Sequence, residues 1–311
     1  MKIAVVGVGA MGSVYAAKFA TSGHQVMAVD PWRDHVEAIN SVGLKIQGPK
    51  GEATVLGIKA TTDFKDCGQC DLFVIATKAS AVGVAARAIK PHIDANSVIL
   101  TIQNGLGAGD RIATHLATDN VLLGVADGFG ASMKGPGHVH HNAMKLIRLG
   151  EMSGGRSERL EELEGIWRDA GFNARSFEDI HQLIWEKLLC NVTLSAPCSV
   201  FDCNVGELRK CDEHWQIALG CMREAYRCGL AEGIAFSFDD PQRYVTAFAD
   251  MMPAANPSMR LDHFAKRQSE IDFINGAIPA LGQRHNIATP YNQTLSAIVR
   301  NIENQFERAK T

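Results

Sequence analysis

Lys187 and Asn191 stand four residues apart in Trp185-Glu186-Lys187-Leu188-Leu189-Cys190-Asn191. That spacing puts both on one face of a helix. A lysine among apolar neighbours has two explanations. It either snorkels to solvent, or it is a cation kept for acid–base work, where partial burial lowers its pKa. A second constellation opens the chain: Gly7-Val8-Gly9-Ala10-Met11-Gly12 reads G-x-G-x-x-G directly after the apolar run that ends at Val6. That pattern between a strand and a helix is a dinucleotide-binding turn. Gly7 permits the tight turn, Gly9 lets a pyrophosphate approach the backbone, and Gly12 lets the helix pack on the strand. The helix N-terminus then offers free N–H groups and partial positive charge to phosphates. Asp30 ends the next apolar run, 18 residues after Gly12. It holds the position of a carboxylate that binds the adenosine ribose hydroxyls, and it also suits a helix N-cap.

Such a turn followed by acid–base side chains suggests hydride transfer. That chemistry needs a nicotinamide site, a substrate site, and an acid to protonate the carbonyl oxygen as hydride arrives. A flavin could use the same turn, but flavoproteins usually need more chain. Thr101-Ile102-Gln103-Asn104-Gly105-Leu106-Gly107 sits at the carboxyl end of an expected strand, where ligands bind in open α/β sheets. Asn104-Gly105 is equally the sequence of a plain turn. Lys78 likewise follows a strand. Between NAD and NADP, Asp30 favours NAD, because a carboxylate repels a 2′-phosphate. Arg33, three residues on, could pair with that phosphate or with Asp30 itself.

These residues need a scaffold. Strand-like runs at 2–7, 24–30, 72–77 and 97–102 alternate with helix-like stretches at 13–22 and 79–89. The alternation predicts a Rossmann-like, doubly wound parallel sheet with helices on both faces. Runs at 121–125 and 145–149 read as later strands. Beyond about residue 150 helices dominate, at 158–170, 180–194, 215–229, 241–252 and 269–285. We therefore expect two domains: a dinucleotide-binding domain over 1–176 and an all-α substrate domain over 177–311. The 311 residues suit that division. A net charge of −3 gives no field that favours nucleic acid or an anionic membrane. The longest apolar run falls short of the ~20 residues of a membrane helix. No signal peptide is legible, so a cytoplasmic protein with eight reduced cysteines is expected. The Cys67-Gly68-Gln69-Cys70 motif lacks a redox or zinc context. Alternation in His138-Val139-His140 reads as a partly exposed strand rather than a metal site.

Taken together, these motifs resemble the ketopantoate reductase family (2-dehydropantoate 2-reductase) over nearly the whole chain. The resemblance is carried by the Gly7–Gly12 turn, Gln103-Asn104-Gly105 and Trp185–Asn191. It is carried too by Ser258-Met259-Arg260-Leu261-Asp262 followed by Glu270-Ile271-Asp272-Phe273-Ile274-Asn275-Gly276. It implies that Lys187 is the general acid, with Asn104 close to it and to the nicotinamide. It implies that Asn191 and Ser258 bind the substrate's hydroxyl and carboxylate. Glu270 would contact the cofactor side, with Lys78 and Ala131 as lesser cofactor contacts. The implied reaction reduces 2-dehydropantoate to pantoate with NADPH, on the route to pantothenate. Two departures bear on substrate and cofactor. Ser195 and Val205 stand where the family carries asparagines, although Asn204 is adjacent to the second, and Asp30-Pro31-Trp32 precedes the first basic residue, Arg33.

Two other readings compete: a β-hydroxyacid dehydrogenase, which also uses Lys and Asn four apart, and a non-catalytic NAD(P) sensor. The Ser258–Glu270 block favours the first reading over the dehydrogenase, and the full set of polar residues speaks against a sensor. The partner expected is a small 2-oxo acid, with a homodimer through the helical half as a further expectation.

Overall fold

The computed structural model describes residues 1–49, 51–128, 130–143 and 145–308. Packing divides the chain into two compact units. The first holds Met1–Gln103 and Gly107–Ile180; the second holds Asn104–Leu106 and the chain from His181 onward.

The first unit is built on an eight-stranded sheet. It starts from β1 (Lys2–Val6), third from one edge, a run of apolar residues buried on both faces, as parallel strands require. β1 pairs in parallel with β2 (Gln25–Val29) on one side and with Leu72–Ile75 on the other. Beyond β2 lies Lys59–Thr61; beyond Leu72–Ile75 lie Val98–Thr101, Val121–Asp127, Leu146–Glu151 and Ala174–Ser176. The chain thus goes one way from β1 to β2 and then crosses back to Leu72–Ile75. That reversal makes the carboxyl end of β1 the switch point where such sheets bind ligands. The sheet is not wholly parallel. Leu146–Glu151 runs antiparallel to Val121–Asp127, because no crossover helix joins them.

The segment between those two strands instead contributes half of a second, four-stranded sheet that the sequence pattern did not announce. Its order is Gly51–Val55, Leu44–Gly48, His138–Ala143, Gly130–Gly135. These strands are short and half-polar, so period-two burial is faint in the sequence. The His138 run is a strand as expected, with Val139 buried and its neighbours half-buried. Helix α1 (Ala10–Thr21) is held by aromatic contacts. Tyr15 and Phe19, one turn apart, both meet Trp167 edge-on with ring centroids 5.1 Å away. Each such pair contributes about 0.5–1.5 kcal/mol beyond its buried area.

The second unit is helical. Ile180–Val200 runs through Pro197 and buries almost every residue after Trp185. Asp212–Ala231 and Pro241–Asp250 match the expected helices. The expected helix over 269–285 does not form as one element. Residues 271–277 make two short 3-10 turns, and the helix starts only at Ile278. Pro279 explains the break, since its ring would clash with the carbonyl of residue 275 in a continuous helix. Three helices among the described residues of this unit were not expected: Val205–Lys210, Ser258–Phe264 and the last, Pro290–Arg308. No helix of the described residues is long and apolar enough to cross a membrane.

Candidate functional site

The glycine turn forms at the end of β1 as its spacing requires. Gly7 has φ +87°, and a Cβ there would lie 2.8 Å from the Thr77 backbone. A Cβ on Gly12 would lie 1.9 Å from the Gly7 carbonyl oxygen, so only glycine allows α1 to sit so close. A Cβ on Gly9 would meet nothing within 4 Å. Gly9 therefore borders open space at the N-terminus of α1, where it is the N-cap without a capping side chain. No acidic residue lies in the first turn. An open glycine before uncapped amides, with no anion of the protein's own nearby in the helix, fits a pyrophosphate. Ala10 and Met11 form the half-buried first turn of α1.

Side chains hold this turn from behind. The Asp30 carboxylate accepts from the Val8 N–H (2.9 Å) and, through its other oxygen, from the Trp32 N–H (3.0 Å). The helix N-cap foreseen for Asp30 does not form: the next helix, Arg33–Val42, has Trp32 at its N-cap and no side-chain cap, so Asp30 bonds only the turn before it, and each of its oxygens keeps a lone pair for a ribose hydroxyl. The Ser13 hydroxyl donates to the Val8 carbonyl (2.6 Å). Behind Ser13 lies His35, fully buried, whose Nδ1 accepts from the Gly137 N–H (2.8 Å). An imidazole accepting at Nδ1 carries its proton on Nε2, which points at Ser13 Oγ, 3.3 Å away. Burial pushes the His35 pKa down, against the opposing pull of Asp30, and keeps the ring neutral. Sequence reading missed His35, because one histidine among apolar helix residues carries no motif. Arg33 is exposed, and no ion pair to Asp30 is among those of the described residues. Lys78, exposed, follows the Thr77 that packs on Gly7. Ala131 lies in the second sheet, half-buried and paired with His141.

Gln103 closes the strand ends. Its amide donates to the carbonyls of Ile75 (2.7 Å) and Thr77 (3.3 Å), and its oxygen accepts from the Thr101 hydroxyl. The motif that contains it was read for Asn104 alone.

In the second unit, Lys187 and Asn191 are half-buried on a helix whose residues between them, Leu188–Cys190, are all buried. Ser258 is exposed, as the first residue of Ser258–Phe264, and Glu270 is half-buried. With the half-buried Asn104, these residues come from four stretches of chain, and residues 269–276 bond directly to two of the others. The Leu106 N–H donates to the Phe273 carbonyl (2.9 Å). A Cβ on Gly105 would lie 2.2 Å from that same oxygen, so the Asn104 turn needs its glycine, at φ +82°, to dock. Two residues on, the buried Asn275 amide donates to the Val192 carbonyl (2.8 Å), one residue past Asn191. The same Asn275 nitrogen also lies 3.0 Å from Asn292 Oδ1. Asn292 Nδ2 in turn donates to Glu224 (2.7 Å), a buried carboxylate that also accepts the N–H groups of Tyr291 and Asn292. Glu224 thereby caps the helix Pro290–Arg308. Sequence reading quoted Asn275 inside a motif but gave it no part, and missed Glu224 and Asn292. Of the family departures, Ser195 and Val205 are both buried.

The cysteine pair has no place in either constellation. Cys67 and Cys70 are buried, and burial pushes the Cys67 thiol up to about 12. A thiol so raised stays protonated and unreactive.

Comparison with known proteins gives these features a context. The family model for ketopantoate reductase PanE/ApbA matches residues 3–154, and the model for its C-terminal part matches 179–303. A 2-dehydropantoate 2-reductase of Streptococcus pyogenes serotype M3 is 29% identical over 300 residues, covering 96% of this chain and 97% of the relative. The crystal structure of 2-dehydropantoate 2-reductase from Geobacter metallireducens GS-15 shares 31% identity and superposes with a TM-score of 0.89, covering 97% of this chain and 99% of that one. The ternary structure of D-mandelate dehydrogenase with NADH and anilino(oxo)acetate shares 27% identity at a TM-score of 0.90, with 99% of both chains covered. With a dinucleotide turn in one half and family matches across both, the chain is a nicotinamide-dependent oxidoreductase that belongs to the ketopantoate reductase PanE/ApbA family.

Proposed function

We propose that the protein reduces the ketone of a small 2-oxo acid, and that 2-dehydropantoate, yielding pantoate for pantothenate synthesis, is its leading substrate. The observation that carries this reading is Lys187, a half-buried cation on a buried helix, one turn from Asn191. In the proposed reaction the Lys187 ammonium hydrogen-bonds the ketone oxygen and gives it a proton. Asn104 orients that ammonium. Asn191 and Ser258 hold the substrate's hydroxyl and carboxylate, and Glu270 lies on the cofactor side. A bound nicotinamide dinucleotide would supply the hydride; its pyrophosphate suits Gly9 and the amides of α1, with Lys78 and Ala131 as outlying contacts. The test is oxidation of NADH and NADPH against 2-dehydropantoate, pyruvate, a branched 2-oxo acid and phenylglyoxylate. Highest kcat/KM with 2-dehydropantoate supports the assignment, and no turnover with any of the four refutes it.

A second substrate reading is an aromatic 2-oxo acid. It is favoured by the similarity to D-mandelate dehydrogenase and by Ser195 and Val205 at the two departed positions. Phenylglyoxylate outrunning 2-dehydropantoate would establish it.

For the cofactor we propose a preference for NAD over NADP. The Asp30 charge is not neutralised by Arg33, and a 2′-phosphate placed against it would be repelled. Wild type is then expected to prefer NADH in kcat/KM, and Asp30→Ala to shift towards NADPH. A preference for NADPH that Asp30→Ala leaves in place would reduce Asp30 to its backbone contacts.

A further inference from the structure

One carboxylate oxygen in the last helix joins two of the proposed site segments. Glu303, in Pro290–Arg308, is 5% exposed. Its Oε1 accepts the Ser269 N–H at 2.9 Å and lies 3.2 Å from His263 Nε2. His263 belongs to the helix that begins at Ser258. Ser269 immediately precedes Glu270, and its hydroxyl accepts the Ile271 N–H at 3.3 Å. The Glu270 backbone is therefore held on both sides: the amide before it by Glu303, the amide after it by Ser269. Burial works to raise the Glu303 pKa, but the bonds from His263 and Ser269 outweigh it, so the carboxyl titrates below its ordinary range and stays charged. Asp262, next to His263, and Arg267 pair with each other at 3.1 Å, while Arg300, one turn before Glu303, pairs with Asp272.

The same helix meets the segment again further on. Arg300 bonds Asp272 at 2.7 Å, and Asn292 bonds Asn275. Residues 269–276 thus run antiparallel along it, 303 against 269, 300 against 272 and 292 against 275. The Arg300 pair is exposed on both sides and contributes little. The buried contacts at the two ends set the register.

We propose that Glu303 is a positioning residue: its single oxygen fixes the Ser258 helix and the Glu270 backbone relative to each other, and through them the grip on the 2-oxo acid. This rests on the function proposed above for Ser258 and Glu270. Reach, rather than charge alone, is what a shared oxygen provides. Glu303→Asp keeps the charge but withdraws the oxygen by one methylene, whereas Glu303→Gln keeps the oxygen and gives up the charge.

The experiment compares E303D, E303Q and E303A by steady-state kinetics with 2-dehydropantoate and by amide hydrogen exchange over residues 258–276. Positioning predicts that E303D and E303A raise the oxo acid KM about tenfold, with the cofactor KM within about twofold of wild type, and that E303Q does less damage than E303D. It also predicts faster exchange at Ser269 and Ile271 in E303D than in E303Q. Should E303A fail to fold, the ordering of the other two variants still decides. E303Q worse than E303D would make the residue a charge partner only, and unchanged KM and exchange in E303D would overturn the proposal. If wild type itself reduces no 2-oxo acid, the functional reading falls, and the exchange ordering alone judges whether Glu303 sets this register.

Discussion

The glycine turn and the lysine helix are both places where ligand chemistry is expected, yet they are held by different means. The turn is shaped by the absence of side chains at Gly7, Gly9 and Gly12, within six consecutive residues. The groups bonded directly to it, Ser13 and Asp30, lie within one strand–helix–strand unit. The lysine helix is surrounded by residues from four distant stretches, joined through buried polar side chains: Glu224, Asn292, Asn275 and Glu303. A local turn can be written in a short motif. A long-range assembly of buried hydrogen bonds has no spacing rule, because what matters is which donor finds which acceptor after folding.

The comparison can be broken most forcefully at Lys187. Lys187→Ala should lower kcat by roughly 10²–10⁴-fold, the usual worth of general acid catalysis, with NAD(P)H binding by fluorescence titration nearly unchanged. A variant with near-normal kcat would remove Lys187 from the chemistry. Next comes the turn. Gly12→Ala forces a Cβ to within 1.9 Å of the Gly7 carbonyl, so α1 must move. The cofactor KM is expected to rise roughly 10–100-fold, as displacements of about 1 Å do, with the oxo acid KM little affected. An unaltered cofactor KM would mean that the turn relaxes without consequence.

Asn275→Ala is the counterpart in the second unit. It strips a donor from the Val192 carbonyl and from Asn292, both buried, and should cost about 2–4 kcal/mol of stability by denaturant unfolding. Here the oxo acid KM should suffer and the cofactor KM should not; the reverse pattern would dissolve the distinction between the two regions. The smallest effect expected is at His35. Its folded pKa lies below the ordinary 6.5, so the unfolded chain takes up the proton first. The stability His35 contributes is present above about pH 6.5 and is lost as pH falls through its folded pKa. His24 and His141 are lowered too and share that window. Between pH 7 and 5, thermal scans should show wild type losing more Tm than His35→Gln, from a higher start. Equal losses would show that the ring does not titrate with unfolding.

The same contrast explains what could be read in advance. β1, β2 and α1 were legible because their apolar runs and glycines follow local geometry, and Ile180–Val200 because it buries most of its residues. The helix over 269–285 was misread because Ile271, Ile274 and Ile278 keep helical spacing while Pro279 stops the helix from extending backwards. The second sheet was invisible because Leu44–Gly48 and Gly130–Gly135 leave most residues half-buried, which blurs alternation. Lys187, Asn191, Ser258 and Glu270 could be named from motif and resemblance. Glu303 and Asn292 could not, since neither belongs to a motif and the helix that carries them was not foreseen.

Residues 104–106 carry a consequence for how such a chain can be inherited. They lie within the first half of the sequence yet pack with the second unit, where Leu106 occupies the Phe273 carbonyl. The halves are therefore not interchangeable cassettes. A recombinant that joined residues 1–180 of this chain to the helical half of a distant relative would bring together a loop and a docking segment that had never been selected as a pair. Viable crossovers would have to keep the three-residue loop and the Glu270–Gly276 segment from one parent, which couples two sites about 170 residues apart in descent as well as in space.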